Sequence, residues 1–484
     1  MSQNVLDREA TGLARFRQSA AIVRINNFLD SAWFVALVCV LILASNIFGA
    51  ELIVYPLLML FGIVIAAVGR DFLPMAPIAA CCYMAPSLQN NPGKNPDSVL
   101  YPENGGIVMA AFLAVFVVTV VIRLIFDRNL GGKHFSRCKR KLLPGMVILG
   151  AGYMLAGAFS GRYFENGINN MAFAALQFLS VTAMYWFFTG AIKWDRVRID
   201  YFLWIGLGIG LLVCGEIMAV LVQNGAITDF QIQPKLIYSG WGNANNMGCM
   251  VAMMVPCAIG LARRTGRVTP FCLLGILMVL CACLTCSRTS IGGAVGIYGL
   301  SVLVSLKDRS CRKKFLLFHG IAALALVGVV IACYQQIMVL FADLVERGLN
   351  PRLREITYPE GIRTFLKNPV FGEGFYPSSK NIYEWSDQER LKAILPARWH
   401  NTVIQLLASC GGFGLLCYSF HRLQTIKLFW QKRKTPVIYI GLTLMAMLIM
   451  SLLDCHFFNI GPTLVYSIGL AFAECTDPEK IQNK

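Results

Sequence analysis

Charge is scarce in this sequence, and acids are scarcer still. Only 14% of its 484 residues are charged, with 26 Asp and Glu in all. A soluble chain of this length needs far more polar surface, so a soluble globular fold is excluded. No phosphate-cradling GxxxxGK loop, no GxGxxG turn and no HExxH pair occurs. These absences argue against an ATP-driven pump, a dinucleotide enzyme and a zinc protease. No cluster of acids sits where it would hold a metal on the outer face, which argues against a metal-dependent enzyme using nucleotide sugars. The 17 cysteines form no ligand pattern. Their closest groupings, Cys81-Cys82 and Cys281/Cys283/Cys286, lie in apolar runs and read as small buried hydrophobes. Internal repeats are also lacking.

Apolar residues are abundant, at 56% of the chain with mean hydropathy +0.60. Apolar runs fall at about 31–49, 51–69, 72–86, 107–125, 143–159, 169–192, 202–222, 247–262, 271–287, 290–306, 315–333, 401–420, 437–454 and 459–473. Run 72–86 is short and holds Pro74, Pro77 and Pro86, the pattern of a re-entrant or tilted segment. The pattern predicts an all-α integral membrane protein, a polytopic bundle of about 12–14 transmembrane helices. The first run starts too late for a cleavable signal peptide. Residues 14–30, with Arg15, Arg17 and Arg24, read as an interfacial helix.

The net charge of +17 invites a nucleic-acid reading, but its distribution argues otherwise. With a cytoplasmic N-terminus, inner segments hold 29 Lys and Arg and outer segments 13, nine of the latter in 334–399. Short outer loops are nearly free of positive charge, as topology signals require. The expected organisation is a cytoplasmic interfacial segment 1–30, a transmembrane bundle 31–333, a long extracytoplasmic lid 334–399, C-terminal transmembrane helices 400–474 and a cytoplasmic tail 475–484. The lid is predicted to fold into two or more helices, with a capping box at Ser386 and Glu389.

Polar residues that are expensive to place mark the candidate site. His400 opens an apolar run behind the lid; a helix starting near Pro396 would put it in the first turn, on one face with Gly411. It is either an interfacial His bonded to the lid or a catalytic group. The Gly411-Gly412 pair admits a helix or lipid chain at close range. Arg288, flanked by Ser287, Thr289 and Ser290, is either a snorkelling anchor or part of an anion site. Arg352 and Arg354 begin the lid, with Glu355 and Glu360 as possible ion-pair partners. Asn243 and Asn246, with Asn245, suit sugar hydroxyls, and Trp241 a sugar face; an ordinary Gly/Asn turn with a membrane-belt Trp is the alternative. Asn401 follows His400. Asp454 and His456 are weaker candidates, and Glu216 reads as an isolated acid within a span.

Several of these pieces occur in a telling order: Gly242-Asn243-Ala244-Asn245-Asn246, then Ser287-Arg288, then a long loop with Arg354 near its start and Asn368-Pro369-Val370-Phe371-Gly372-Glu373-Gly374, then His400-Asn401 with Gly411 eleven positions on. In this the chain resembles the O-antigen ligase/O-antigen polymerase superfamily of bacterial membrane proteins, over roughly 240–420. One departure is Tyr358-Pro359, where the family's Arg-led element usually has a Trp four residues on. The resemblance implies a GT-C-like fold in the bacterial plasma membrane, with both termini cytoplasmic. It implies a metal-independent, cofactor-free, inverting glycosyltransferase drawing glycan from an undecaprenyl diphosphate carrier on the outer leaflet. The acceptor would be a lipid A core, a growing polysaccharide or a protein hydroxyl; membrane lipids, not nucleic acid, surround the reaction. Catalysis would fall to His400, Arg288 and Arg354, and substrate binding to Arg352, Asn243, Asn246, Trp241 and Asn401. Polymerase and ligase are not separated by sequence, and a lipid-linked oligosaccharide flippase is the alternative class.

Overall fold

The computed structural model describes residues 19–81, 114–115, 117–123, 140–160, 175, 179–194, 199–226, 232, 237–239, 241–347, 354–374 and 399–477. Their architecture is all-α, because long uncharged segments satisfy backbone hydrogen bonds most completely as helices. The first half of the chain contributes α1 (Ala20–Leu29), α2 (Ala32–Phe48), α3 (Glu51–Val68), α4 (Met75–Cys81), α5 (Leu143–Ala158), α6 (Met184–Ala191) and α7 (Ile199–Gln223). A two-residue hairpin follows, β1 (Tyr238–Ser239) antiparallel to β2 (Gly242–Asn243). Then come α8 (Ala244–Thr265), α9 (Val268–Leu284), α10 (Arg288–Ser305) and α11 (Arg312–Ala332). The described residues of 334–399, the segment expected to form a lid, contribute α12 (Tyr334–Leu340), α13 (Ala342–Arg347) and α14 (Arg354–Lys367); α15 (Thr402–Gln431), α16 (Val437–Met450) and α17 (Ile460–Cys475) follow.

Among the described residues four helices, α7, α8, α11 and α15, are long and apolar enough to cross a membrane singly. Helices α1 and α2 meet at a 63° bend and together make a fifth candidate. Segments 53–68, 143–158, 268–284 and 437–450 are shorter apolar helices. Helix occupies at least part of each of the fourteen apolar runs. Among the described residues, run 72–86 contributes the seven residues of α4, nearly all buried.

Helix α8 is the centre of the bundle, buried along nearly its whole length and packed on α7, α9, α10 and α16. Glycines set the spacing: a Cβ on Gly206 of α7 would collide with the Cys257 sulfur of α8. At the other extreme, α11 buries only Phe315 and presents Leu317, Leu324 and Ile331 outward. Most of the described cysteines are buried and free, and Cys475 is disulfide-bonded.

Two sequence expectations change in α15. The helix starts at Thr402 rather than Pro396, and Gly411 has non-helical backbone angles (φ 64°, ψ −168°). His400 therefore precedes the helix, and its three-turn register with Gly411 does not exist. The helix also runs well past 420, to Gln431, so Arg422 is buried in the bundle rather than part of a basic loop.

Candidate active site

Three helices begin at one end of the bundle, each capped by a short polar side chain. The Asn243 side-chain carbonyl accepts from the Asn246 amide of α8 at 3.2 Å. The Ser287 hydroxyl accepts from the Ser290 amide of α10 at 3.4 Å. The Asn401 side-chain carbonyl accepts from Val403 and Ile404 of α15 at 2.8 and 3.1 Å. Asn, Ser and Asp suit this position because their oxygens reach back to amides that the first turn leaves without a partner. Each start carries partial positive charge, so together they favour an anion. Of the residues expected to bind substrate, Asn243 and Asn401 thus hold helix caps.

The turn 451–459 ties these starts together. His400 Nδ1 and Asp454 Oδ1 are 3.1 Å apart. The other Asp454 oxygen accepts from Asn245 Nδ2 at 3.2 Å, and the Cys455 amide donates to Oδ1 at 2.7 Å. Arg354, the first residue of α14, donates from Nη2 to the Leu453 carbonyl at 2.7 Å. Asn401 Nδ2 donates to the Leu452 carbonyl at 2.8 Å, and Asn459 Nδ2 to the Asn246 side-chain carbonyl at 2.8 Å. Arg288 enters through its helix: Ser290 Oγ bonds the Ser287 hydroxyl at 3.0 Å and the Asn245 carbonyl at 3.3 Å. Arg288 itself is half-buried directly after the cap.

The backbone is strained where the chemistry gathers. His400 and Cys286 have φ of +50°, a region costly for residues with side chains. His400 is held there from both sides. Its carbonyl accepts from the Tyr358 hydroxyl of α14 at 3.1 Å, and its ring meets Asp454. Tyr358 is the residue that departs from the family's Trp. The His400 side chain stays 31% exposed against 10% for Asp454. Burial alone would raise the Asp454 carboxyl. The hydrogen bond to His400, the nearby His456 and the Cys455 amide outweigh it and hold the group well below the usual carboxylate range.

Segment 369–374 is the latch between lid and bundle. Gly412 and Phe413 donate to the carbonyls of Pro369 and Val370 at 2.8 and 3.1 Å, while Glu373 and Gly374 donate to Ala408 and Ser409 at 2.9 and 3.2 Å. The break at Gly411 exposes these backbone groups for pairing. A Cβ on Gly411 would collide with the Val370 carbonyl, and one on Gly372 with the Ser409 carbonyl. The close approach anticipated at Gly411-Gly412 is therefore made by the lid's own chain.

Other candidates fall elsewhere. Trp241 is only 4% exposed, so its ring offers no open face to a sugar in this conformation. Glu216 is not isolated: Asn46 Nδ2 and Ser239 Oγ donate to it at 2.5 and 2.8 Å, anchoring the hairpin that carries Asn243. Glu360 pairs with Arg363 at 3.3 Å rather than with Arg354. Arg352, Ser386 and Glu389 lie outside the described residues. The principal residue underrated by sequence is Asp454; its signal was a lone acid in the apolar stretch 437–473.

No curated protein matches this chain. A family model described as O-Antigen ligase matches residues 273–419, from α9 to the middle of α15. The match takes in Arg288, Arg354, the latch, His400 and Gly411. Over that segment this membrane protein is similar to the O-antigen ligases.

Proposed function

We propose that this protein is a glycosyltransferase of cell-surface polysaccharide biosynthesis. It moves or polymerises glycan from an undecaprenyl diphosphate-linked donor at the outer leaflet of the bacterial plasma membrane, without a metal and with inversion. The observation that carries the reading is the His400–Asp454 pair, set where three helix starts and Arg354 meet.

With Nδ1 engaged by Asp454, the tautomer protonated at Nδ1 leaves Nε2 to act as base. Nε2 accepts the proton of the acceptor hydroxyl as its oxygen bonds to the anomeric carbon. The bond from that carbon to the diphosphate oxygen breaks, and the diphosphate departs with the electron pair. Arg288 and Arg354 stabilise the charge that grows on the leaving group, with Arg352 as a third cation of the lid and Asn246 beside the glycan. The lid at 334–399 excludes water, which would otherwise hydrolyse the donor, and aligns two bulky chains.

The test is reconstitution of the full-length protein in proteoliposomes with undecaprenyl diphosphate-linked glycan from its source cells, in EDTA. A ladder of longer lipid-linked glycans identifies a polymerase, and one transfer to a different acceptor a ligase. Glycan crossing the bilayer without transfer rejects the enzyme reading in favour of a flippase.

A further inference from the structure

Helix α15 carries a second cationic centre beyond the Gly411 break. Arg422 is 7% exposed. Its guanidinium carbon lies 4.5 Å from the Tyr418 ring centre, 4.2 Å from Phe457 and 4.7 Å from Tyr466. Nη1 donates to the Tyr466 hydroxyl at 2.5 Å. Nε and Nη2 find no acceptor. These two nitrogens share one edge of the guanidinium, and their N–H bonds run parallel, the fork that grips an oxyanion with two hydrogen bonds. Among the described residues no carboxylate pairs with Arg422; its polar neighbours are the neutral hydroxyls of Tyr418, Tyr466 and Tyr153, of which Tyr418 is also within hydrogen-bonding reach.

The same helical turn concentrates other buried polar atoms without partners, His421 Nδ1 and Gln424 Oε1. Aromatic faces attract a cation, but they do not satisfy N–H donors lying in the guanidinium plane. An uncompensated cation inside a membrane bundle is costly, and such a residue by default marks a binding function. Phe457 follows Asp454 by three residues, so this centre lies close beneath the floor of the catalytic turn.

We infer that the Nε–Nη2 edge of Arg422 is a second oxyanion site, which takes a phosphate group from a lipid headgroup or from free phosphate. A carboxylate would fit the same fork, but phosphate is the oxyanion that membrane lipids carry in their headgroups. The inference does not depend on the transfer reaction.

The experiment uses the full-length protein in a neutral detergent, and measures its unfolding temperature and native mass with dodecyl phosphate or with inorganic phosphate. The Arg288→Ala/Arg354→Ala variant, which lacks the first oxyanion site, should show saturable stabilisation and one bound phosphate, and the Arg422 substitutions are made in that background. Arg422→Gln should lose it. Arg422→Lys, which keeps the charge without the fork, should bind at least about tenfold more weakly. Response to dodecyl phosphate alone assigns a lipid source; response to both assigns the phosphate group itself. Should Arg422→Gln fail to fold, Arg422→Lys decides. Absence of binding by the Arg288→Ala/Arg354→Ala variant, or unchanged binding on either Arg422 substitution, overturns the inference.

Discussion

Helix α15 separates two centres that each contain a His and an Arg. Before the Gly411 break, His400 has an acid partner, stays part-exposed and sits among helix starts, with Arg354 of α14 beside it. After the break, His421 and Arg422 are buried, acid-free among the described residues and walled by aromatic rings. The first arrangement fits a group that must exchange a proton with a changing substrate. The second fits a fixed charge waiting for an opposite one. Similar residue types thus acquire different chemistry from exposure and from the presence or absence of one carboxylate.

That contrast is broken most severely by His400→Ala, which should lower single-turnover transfer by about 10²–10⁴-fold, the usual worth of a general base. Its unfolding temperature should fall only modestly, because Asp454 keeps its bonds from Asn245 and the Cys455 amide.

Gly411→Ala attacks the boundary between the centres. The new methyl group meets the Val370 carbonyl and the backbone must hold φ of +64°. A stability loss of at least about 2 kcal/mol is expected, read as a lower unfolding temperature, with transfer lost as the latch opens.

Asp454→Asn keeps the shape of the pair and removes its charge. A loss of about 10²-fold is expected, because His400 is no longer held in one tautomer and orientation. The pH dependence has a definite sign. The Asp454 carboxyl is held well below its unfolded value, so its stabilising contribution is complete above the ordinary Asp range near pH 4. It is lost progressively as pH falls from there through the lower folded value. A transfer assay scanned from pH 8 to 5 should therefore show no step from Asp454 itself.

The gentlest probes are Asn245→Ala and Tyr358→Phe. Each removes one hydrogen bond, to Asp454 or to the His400 carbonyl, worth about 1 kcal/mol. Transfer should fall about fivefold in each, measured under single-turnover conditions. No effect from either would mean that the His400 geometry is set by the backbone alone.

The bundle was largely legible because apolar runs of spanning length have few alternatives to helix. Helix occupies part of every such run, and the long loop's motif found its place against Gly411. The gathering of Asn246, Arg288, Arg354 and His400 at one end of the bundle was legible, because they are polar groups at span boundaries. Partnership was not. Asp454 lies 54 residues from His400, and only the return of the chain between α16 and α17 brings them together. Trp241 read as a sugar-stacking or membrane-belt ring because its neighbours are Gly and Asn, yet it is buried in the hairpin turn, where its amide donates to the Ser239 hydroxyl. Arg422 read as a loop charge because nothing local marks that α15 continues to Gln431.

The most direct measurement is single-turnover transfer in proteoliposomes containing EDTA, with wild type and His400→Ala at equal, verified insertion. The expected result is wild-type transfer indifferent to EDTA and a His400→Ala rate at least about 10²-fold lower, with the variant still folded at the assay temperature. A folded His400→Ala protein that transfers glycan within about threefold of wild type would contradict the assignment of the His400–Asp454 pair as the catalytic centre.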